Sequence, residues 1–152
     1  MNTEHVTHLR RLSQQYAYSA LQMHETIGRK AGLSGTDHKY LGFLIQKGAM
    51  TAGELANLTG LTTGAVTGLI DRFEKKQLVK RQFVEGDRRK VIIVPDIDKI
   101  MALLAPLYAD FRGASEQLLA SFSAQEMQVI ENYFVRAIEL MNQETEKLNM
   151  QA

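Results

Sequence analysis

The stretch from Thr51 to Val94, TAGELANLTGLTTGAVTGLIDRFEKKQLVKRQFVEGDRRKVIIV, holds two short helical patterns followed by two strand-like ones, and that order decides the fold. Thr51 and Glu54 stand at capping-box spacing, where the hydroxyl and the carboxylate each satisfy a free backbone donor. They open a short helix carrying Leu55, Ala56 and Leu58. Gly60-Leu61 interrupts it, and Thr62 or Thr63 caps a further helix whose apolar face is Val66, Leu69, Ile70 and Phe73. A helix-turn-helix needs a small side chain where the helices cross, which Ala56 supplies. It then needs a residue tolerant of positive φ in the reversal, and Gly60 sits four positions on. Val66 and Leu69 anchor the second helix on the first. Beyond Gln77 the period becomes strand-like. Val79–Val84 and Val91–Val94 flank the polar turn Glu85-Gly86-Asp87-Arg88, and Pro95 ends the second strand, so a β-hairpin is expected.

On the N-terminal side, Val6, Leu9, Leu12, Tyr16, Ala20, Met23 and Ile27 recur in steps of three and four, one stripe of a long helix stopped near Gly32. A second helix is expected from Ser34 or Thr36 to about Gly48, turning Tyr40, Leu41, Phe43, Leu44 and Ile45 inward. On the C-terminal side, Ile100, Leu103, Leu104, Leu107, Tyr108, Phe111, Leu118 and Leu119 form an amphipathic run in which Pro106 and Gly113 are expected kinks. Ser123-x-x-Glu126 is a second capping box. It starts a helix with Met127, Ile130, Phe134, Ala137, Met141 and Leu148 along one seam, Thr145 taking the one polar slot. The fold class is mainly α with a small β-hairpin wing: a winged helix-turn-helix over 34–96, flanked by helical regions 3–30 and 98–148. The apolar stripes at the two ends need burial, against each other or against a second copy of the chain.

A length of 152 residues fits one domain, and 45% hydrophobic residues suffice for a core. The absence of cysteine excludes disulfides, thiolate metal sites and thiol redox switches. No apolar run is long enough to span a bilayer, and the polar start MNTEHVTHLRR lacks a signal-peptide core, so a cytoplasmic protein without membrane attachment is expected. The formal net charge of +1 looks unfavourable for a polyanion partner. It conceals an asymmetry. From Asp71 to Lys90 eight basic residues face four acidic ones, a surplus of +4, whereas from Asp110 onward three basic residues face seven acidic ones.

With Val66, Leu69, Ile70 and Phe73 inward, the opposite face of their helix presents Thr63, Gly64, Thr67, Gly68, Asp71 and Lys75, with Arg72 at the margin. This face is small and weakly charged, suited to deep entry into a major groove with threonine hydroxyls and methyls on base edges or phosphates. Helix interiors tolerate Gly64 and Gly68 at about 1 kcal/mol each relative to alanine, a cost that close approach to DNA would explain. The free amides at the helix start, near Thr62 and Thr63, suit a phosphate. Arg72, Lys75, Lys76 and Arg81 would supply mainly affinity, and the threonines and wing arginines specificity.

The order of elements, and above all residues 51–94 with the wing tip EGDRRK, resembles the MarR/SlyA family of bacterial transcription regulators along nearly the whole chain. Its Asp-x-Arg wing signature is matched by Asp87, Arg88 and Arg89. The resemblance implies that Asp87 braces the wing, Arg89 enters the minor groove and Arg88 or Lys90 contacts phosphate, as the negative potential of a narrow groove favours. It further implies a homodimer built through 3–30 and 98–148, an inverted-repeat operator in double-stranded DNA, a repressor role in a bacterial or archaeal cytoplasm, and release by a small aromatic effector. Three positions depart from the family pattern: Gly68 where a basic residue is common, Gln77 where glycine is common, and Val94-Pro95-Asp96 after the second strand.

Candidate effector-lining residues are Tyr16, Tyr18, His24, His38, Tyr40 and Tyr108. His5, His8, His24 and His38 show no ligand spacing with a partner acid, so no metal and no cofactor are expected. An enzyme is disfavoured by the lack of a glycine-rich phosphate loop, a His-Glu metal helix or a nucleophile elbow. The rival outside enzymology is a winged-helix protein-interaction adaptor that never touches DNA.

Overall fold

The computed structural model describes Thr3 to Gln151, apart from the side chain of Arg88. Its elements are α1 (Thr3–Lys30), α2 (Asp37–Lys47), β1 (Met50–Thr51), α3 (Ala52–Thr59), α4 (Thr63–Lys75), β2 (Val79–Val84), β3 (Asp87–Pro95), α5 (Ile97–Ala120) and α6 (Ala124–Met150). The chain divides into two compact units, one running to Tyr108 and one beginning at Ala109.

The first unit holds the core. Leu41 and Leu44 of α2, Leu55 of α3, Val66, Leu69, Ile70 and Phe73 of α4, Ile93 of β3 and Ile100 of α5 are all essentially inaccessible. Each such side chain contributes roughly 1.5–3 kcal/mol by leaving water. The apolar face read for α4 is therefore the face that packs. Tyr40 and Ile45 pack only partly against this core, and Leu58 is 39% exposed, so α3 buries Leu55 with Ala56 half-covered beside it.

Local chemistry sets the helix ends. Glu54 N–H donates to Thr51 Oγ1 at 3.1 Å and Thr51 N–H to Glu54 Oε2 at 2.9 Å, the reciprocal box at the start of α3. Gly60 ends that helix at φ 72° in the left-handed region, as the tight reversal requires. Thr62 caps α4, its hydroxyl accepting from Ala65 N–H at 3.2 Å. At the other end of α4, Leu78 N–H donates to Phe73 carbonyl and Gln77 N–H to Glu74 carbonyl, both at 2.9 Å, a Schellman closure that forces Gln77 to φ 59°. Thus the position where Gln77 replaces a common glycine is a left-handed one. α2 starts after Thr36, which makes no side-chain cap.

The sheet is three-stranded and antiparallel in the order β1-β3-β2, so the expected hairpin gains a third strand. β1 pairs Met50 with Ile93 and Thr51 with Ile92. Two residues are too few to show alternation in a sequence, and the strand exists because Met50, 7% exposed, adds to the core. β3 also begins earlier than expected, at Asp87. α5 is continuous through Pro106.

In the second unit, α6 is capped by Ser123 and Glu126 as read, with Ser123 N–H donating to Glu126 Oε2 at 2.8 Å. None of the described residues of α6 is buried in the single chain. Met127, Phe134, Met141 and Leu148, the seam read from the sequence, remain exposed, as do Val6, Leu9, Leu12 and Tyr16 of α1.

Candidate nucleic-acid interface

The outer face of α4 carries Thr63, Gly64 and Thr67 exposed and Gly68 half-buried. A Cβ added at Gly64 would meet nothing within 4 Å, and one at Gly68 would lie 3.5 Å from Arg72 Nη1, an ordinary contact. The fold therefore has room for alanine at both positions, so the glycines answer no packing demand. Thr67 turns its hydroxyl back onto the Thr63 carbonyl at 3.0 Å. The Thr67 side chain is thereby held in a fixed orientation on the helix surface.

Arg72 is placed differently from its expected part as a source of affinity. Its Nε and Nη2 donate to the two carboxylate oxygens of Asp37 at 2.8 and 2.9 Å, a bidentate pair joining α4 to the start of α2. The Asp37 side chain is 5% exposed and that of Arg72 is 52% exposed. Burial works to raise the Asp37 pKa. The Arg72 and Ser34 hydrogen bonds and the Arg72 charge overcome it, and the carboxyl ends below its ordinary range. The same hydrogen bond raises the guanidinium pKa.

Arg81 on β2 is likewise engaged. It donates through Nη2 to Asp71 Oδ1 at 2.5 Å and through Nη1 to Glu74 Oε1 at 2.9 Å, while its backbone N–H reaches Glu74 Oε2 at 3.2 Å. These contacts tie β2 to α4 and raise the Arg81 pKa, the Asp71 hydrogen bond foremost.

At the wing tip the pairing is irregular. Phe83 faces Val91, but Val84 faces Asp87, so three residues of β3, Arg88, Arg89 and Lys90, have no opposite number on β2. Gly86 makes the turn at φ 88°. Asp87 Oδ1 accepts from Arg89 N–H at 3.0 Å, bracing the backbone where the cations leave the ladder. Arg89 and Lys90 are exposed; the Arg88 side chain lies outside the described residues. Lys75 is exposed on α4, and among the described residues neither it, Arg89 nor Lys90 forms an ion pair. Lys76 reaches toward the loop after α1, its Nζ 3.5 Å from where a Gly32 Cβ would stand.

The small outer face of α4, the hairpin locked to it through Arg81, and the cations beside the irregular hairpin tip form one surface. A family model described as MarR family matches residues 31–90. The chain is 35% identical over 125 residues to the HTH-type transcriptional regulator YcgE of Bacillus subtilis, covering 82% of this chain and 80% of that protein. The chain belongs to the MarR family. It is a DNA-binding transcriptional regulator, and the family consists of regulators, not enzymes. Among solved structures, a MarR family protein from Bacillus stearothermophilus is similar at a TM-score of 0.71 and 25% identity, over 93% of this chain and 99% of that one. A point mutant of S. aureus MepR, bound to an oligodeoxyribonucleotide, shares the fold at a TM-score of 0.60 and 17% identity, over 88% of this chain and 97% of that one.

Of the candidate effector-lining residues of this MarR-family chain, three come together. The Tyr108 hydroxyl lies 2.5 Å from His24 Nδ1 and 3.0 Å from His38 Nε2, joining α1, α2 and α5. The two imidazoles stack at 5.8 Å between centroids. One phenol can donate to only one of them and accepts from the other, so the pair cannot both lack an N–H on that side. Burial, and then the charge of His24, lower the His38 pKa; burial raises that of Tyr108. Tyr16 and Tyr18 are exposed instead, and Tyr40 packs beside Phe43. Sequence spacing could not reveal this cluster, because its members are 14 to 84 positions apart. Among the described residues no three His, Cys, Asp or Glu side chains are grouped to hold a metal, and no helix is long and apolar enough to cross a membrane.

Proposed function

We propose that the chain is a homodimeric repressor that binds an inverted-repeat operator, with α4 in the major groove and the wing tip in the flanking minor groove, and that a small aromatic compound releases it. The observation that carries this reading is the register break that extrudes Arg88, Arg89 and Lys90 beside a recognition helix locked to the same wing. Thr62, Thr63, Gly64, Thr67 and Gly68 are the groove-facing positions. Lys75, Lys76, Arg88 and Lys90 serve phosphates, and Arg89 reads groove width. The uncovered seams of α1 and α6 support a dimer, since apolar faces of that length rarely stay in water. The oligonucleotide bound by the MepR mutant supports a DNA partner for the shared fold. The cytoplasm, where the chromosome is, is the compartment the reading requires.

The test is selection of bound duplexes from a random library, followed by sedimentation and a screen for aromatic compounds that release the selected site. An inverted repeat with half-sites about 10 bp apart, bound by a dimer with affinity falling steeply in salt, is expected. A monomer, or binding indifferent to salt, would overturn it. Arg89→Ala is expected to lower the salt slope by about 1 per subunit engaged.

A further inference from the structure

We infer that Phe83 is a DNA-contacting residue whose ring packs on the deoxyribose of the backbone strand lying between α4 and the wing tip; this rests on the DNA-binding reading above. Side chains on one face of a strand alternate, so Val79, Arg81 and Phe83 share the inner face of β2. Exposure rises steeply along it. Val79 is 4% exposed and in the core, the Arg81 side chain is 25% exposed and tied to Asp71 and Glu74 of the recognition helix, and Phe83 is 66% exposed. The ring thus overhangs the edge of the core on the side of the sheet that faces α4. Its cross-strand neighbour Val91 is half-buried, and no aromatic or cationic partner covers it among the described residues.

Nothing in the folding of the single chain accounts for a phenylalanine there. The next residues across the ladder are Lys90 and Arg89, extruded by the register break. An apolar ring set between a recognition helix and a run of cations fits one occupant: a chain of alternating phosphates and sugars. The cations take the phosphates, and the ring takes the apolar face of the sugar between them. Water leaves both surfaces, so the contribution is independent of salt, unlike that of the cations.

The experiment measures binding of fluorescein-labelled duplex, about three helical turns long and carrying the site selected by the wild-type chain, across a series of KCl concentrations. Phe83→Ala is expected to weaken binding about tenfold at every concentration, with an unchanged slope of log Kd against log salt. Phe83→Leu is expected to restore most of the affinity, and Arg89→Ala to reduce the slope. Thermal unfolding of each variant checks the wing, since loss of wing structure would lower the slope along with the affinity. Unchanged affinity for Phe83→Ala, a loss accompanied by a reduced slope, or a change of oligomeric state instead of DNA affinity would each overturn the inference. Failure of the wild-type chain to capture any duplex would instead overturn the DNA-binding reading, and this inference with it.

Discussion

Arg72→Ala separates two roles for one arginine. A cation on α4 would ordinarily be assigned to phosphate, yet the Nε and Nη2 edge of its guanidinium is on Asp37 at 2.8 and 2.9 Å. Truncation leaves a carboxylate 5% exposed without its cation. Breaking a fully buried pair costs about 3–5 kcal/mol. Arg72 is half exposed, so solvent screens its charge and water can enter behind the alanine, which brings the expected loss to about 2 kcal/mol. For a chain of this length that is a fall of roughly 4–8 °C in Tm. The sign with pH follows from Asp37. Its folded pKa is depressed below the ordinary 3.8, so the pair's contribution is complete above that value and is lost as pH falls through the folded pKa. In Arg72→Ala burial acts without the arginine to oppose it and raises the Asp37 pKa, so the deficit against wild type should shrink in acid. Denaturation at about pH 7 and about pH 4, with Asp37→Ala and the double variant completing a cycle, measures this. A Tm within about 1 °C of wild type, with the DNA-binding salt slope reduced by about 1, would refute the clamp and return Arg72 to the phosphates.

Gly64→Ala and Gly68→Ala should raise Tm, by about 1 kcal/mol of helix propensity each, while weakening DNA binding at least about tenfold; stabilisation without loss of affinity would show that the groove does not approach α4 closely. Gln77→Gly should relieve the left-handed strain at φ 59° and stabilise the fold by about 1 kcal/mol, roughly 2–4 °C in Tm; no gain would show that the Lys99 Nζ contact to Gln77 Oε1 at 3.2 Å offsets the strain. His38 has a folded pKa below the ordinary 6.5, so the unfolded chain binds more protons and stability falls as pH drops from about 6.5 through the folded value. Accordingly, Tm of wild type should fall more between about pH 7.5 and about pH 5.5 than that of His38→Gln, as followed by circular dichroism.

Much of the fold is legible because its signals are local. Two capping boxes, a left-handed glycine and a clean change of hydrophobic period fix α3, α4, α6 and the wing within the sequence itself. The rest depends on contacts between distant positions. β1 is two residues long and shows only when Met50 finds Ile93. The outer face of α4 can be read from its inner face, since a helix has only two sides. Which cations are free cannot, because Asp37 lies 35 residues from Arg72 and Glu74 lies 7 residues and an element away from Arg81. Phe83 is hidden for a related reason: a phenylalanine in a strand pattern reads as core until the register shows that the core has ended.

The surplus of +4 around the recognition helix and wing is therefore not all available to DNA. Two of those cations serve the scaffold, and what they do there is electrostatic as well as mechanical. Asp71 stands on the outer face of α4, 61% exposed, where its charge would oppose a phosphate. Arg81 neutralises it and, through Glu74, uses the same guanidinium to hold β2 against the helix. On the proposed binding mode, loss of Arg81 would uncover the Asp71 anion and loosen the wing at once, so its substitution should damage binding more than loss of a single phosphate contact does. The cations left over, Lys75, Lys76, Lys80, Arg89 and Lys90 among the described side chains, lie at the end of α4, just after it and along the two wing strands. The free cations thus depend for their placement on paired ones that hold the scaffold, and the net charge of +1 records only their sum.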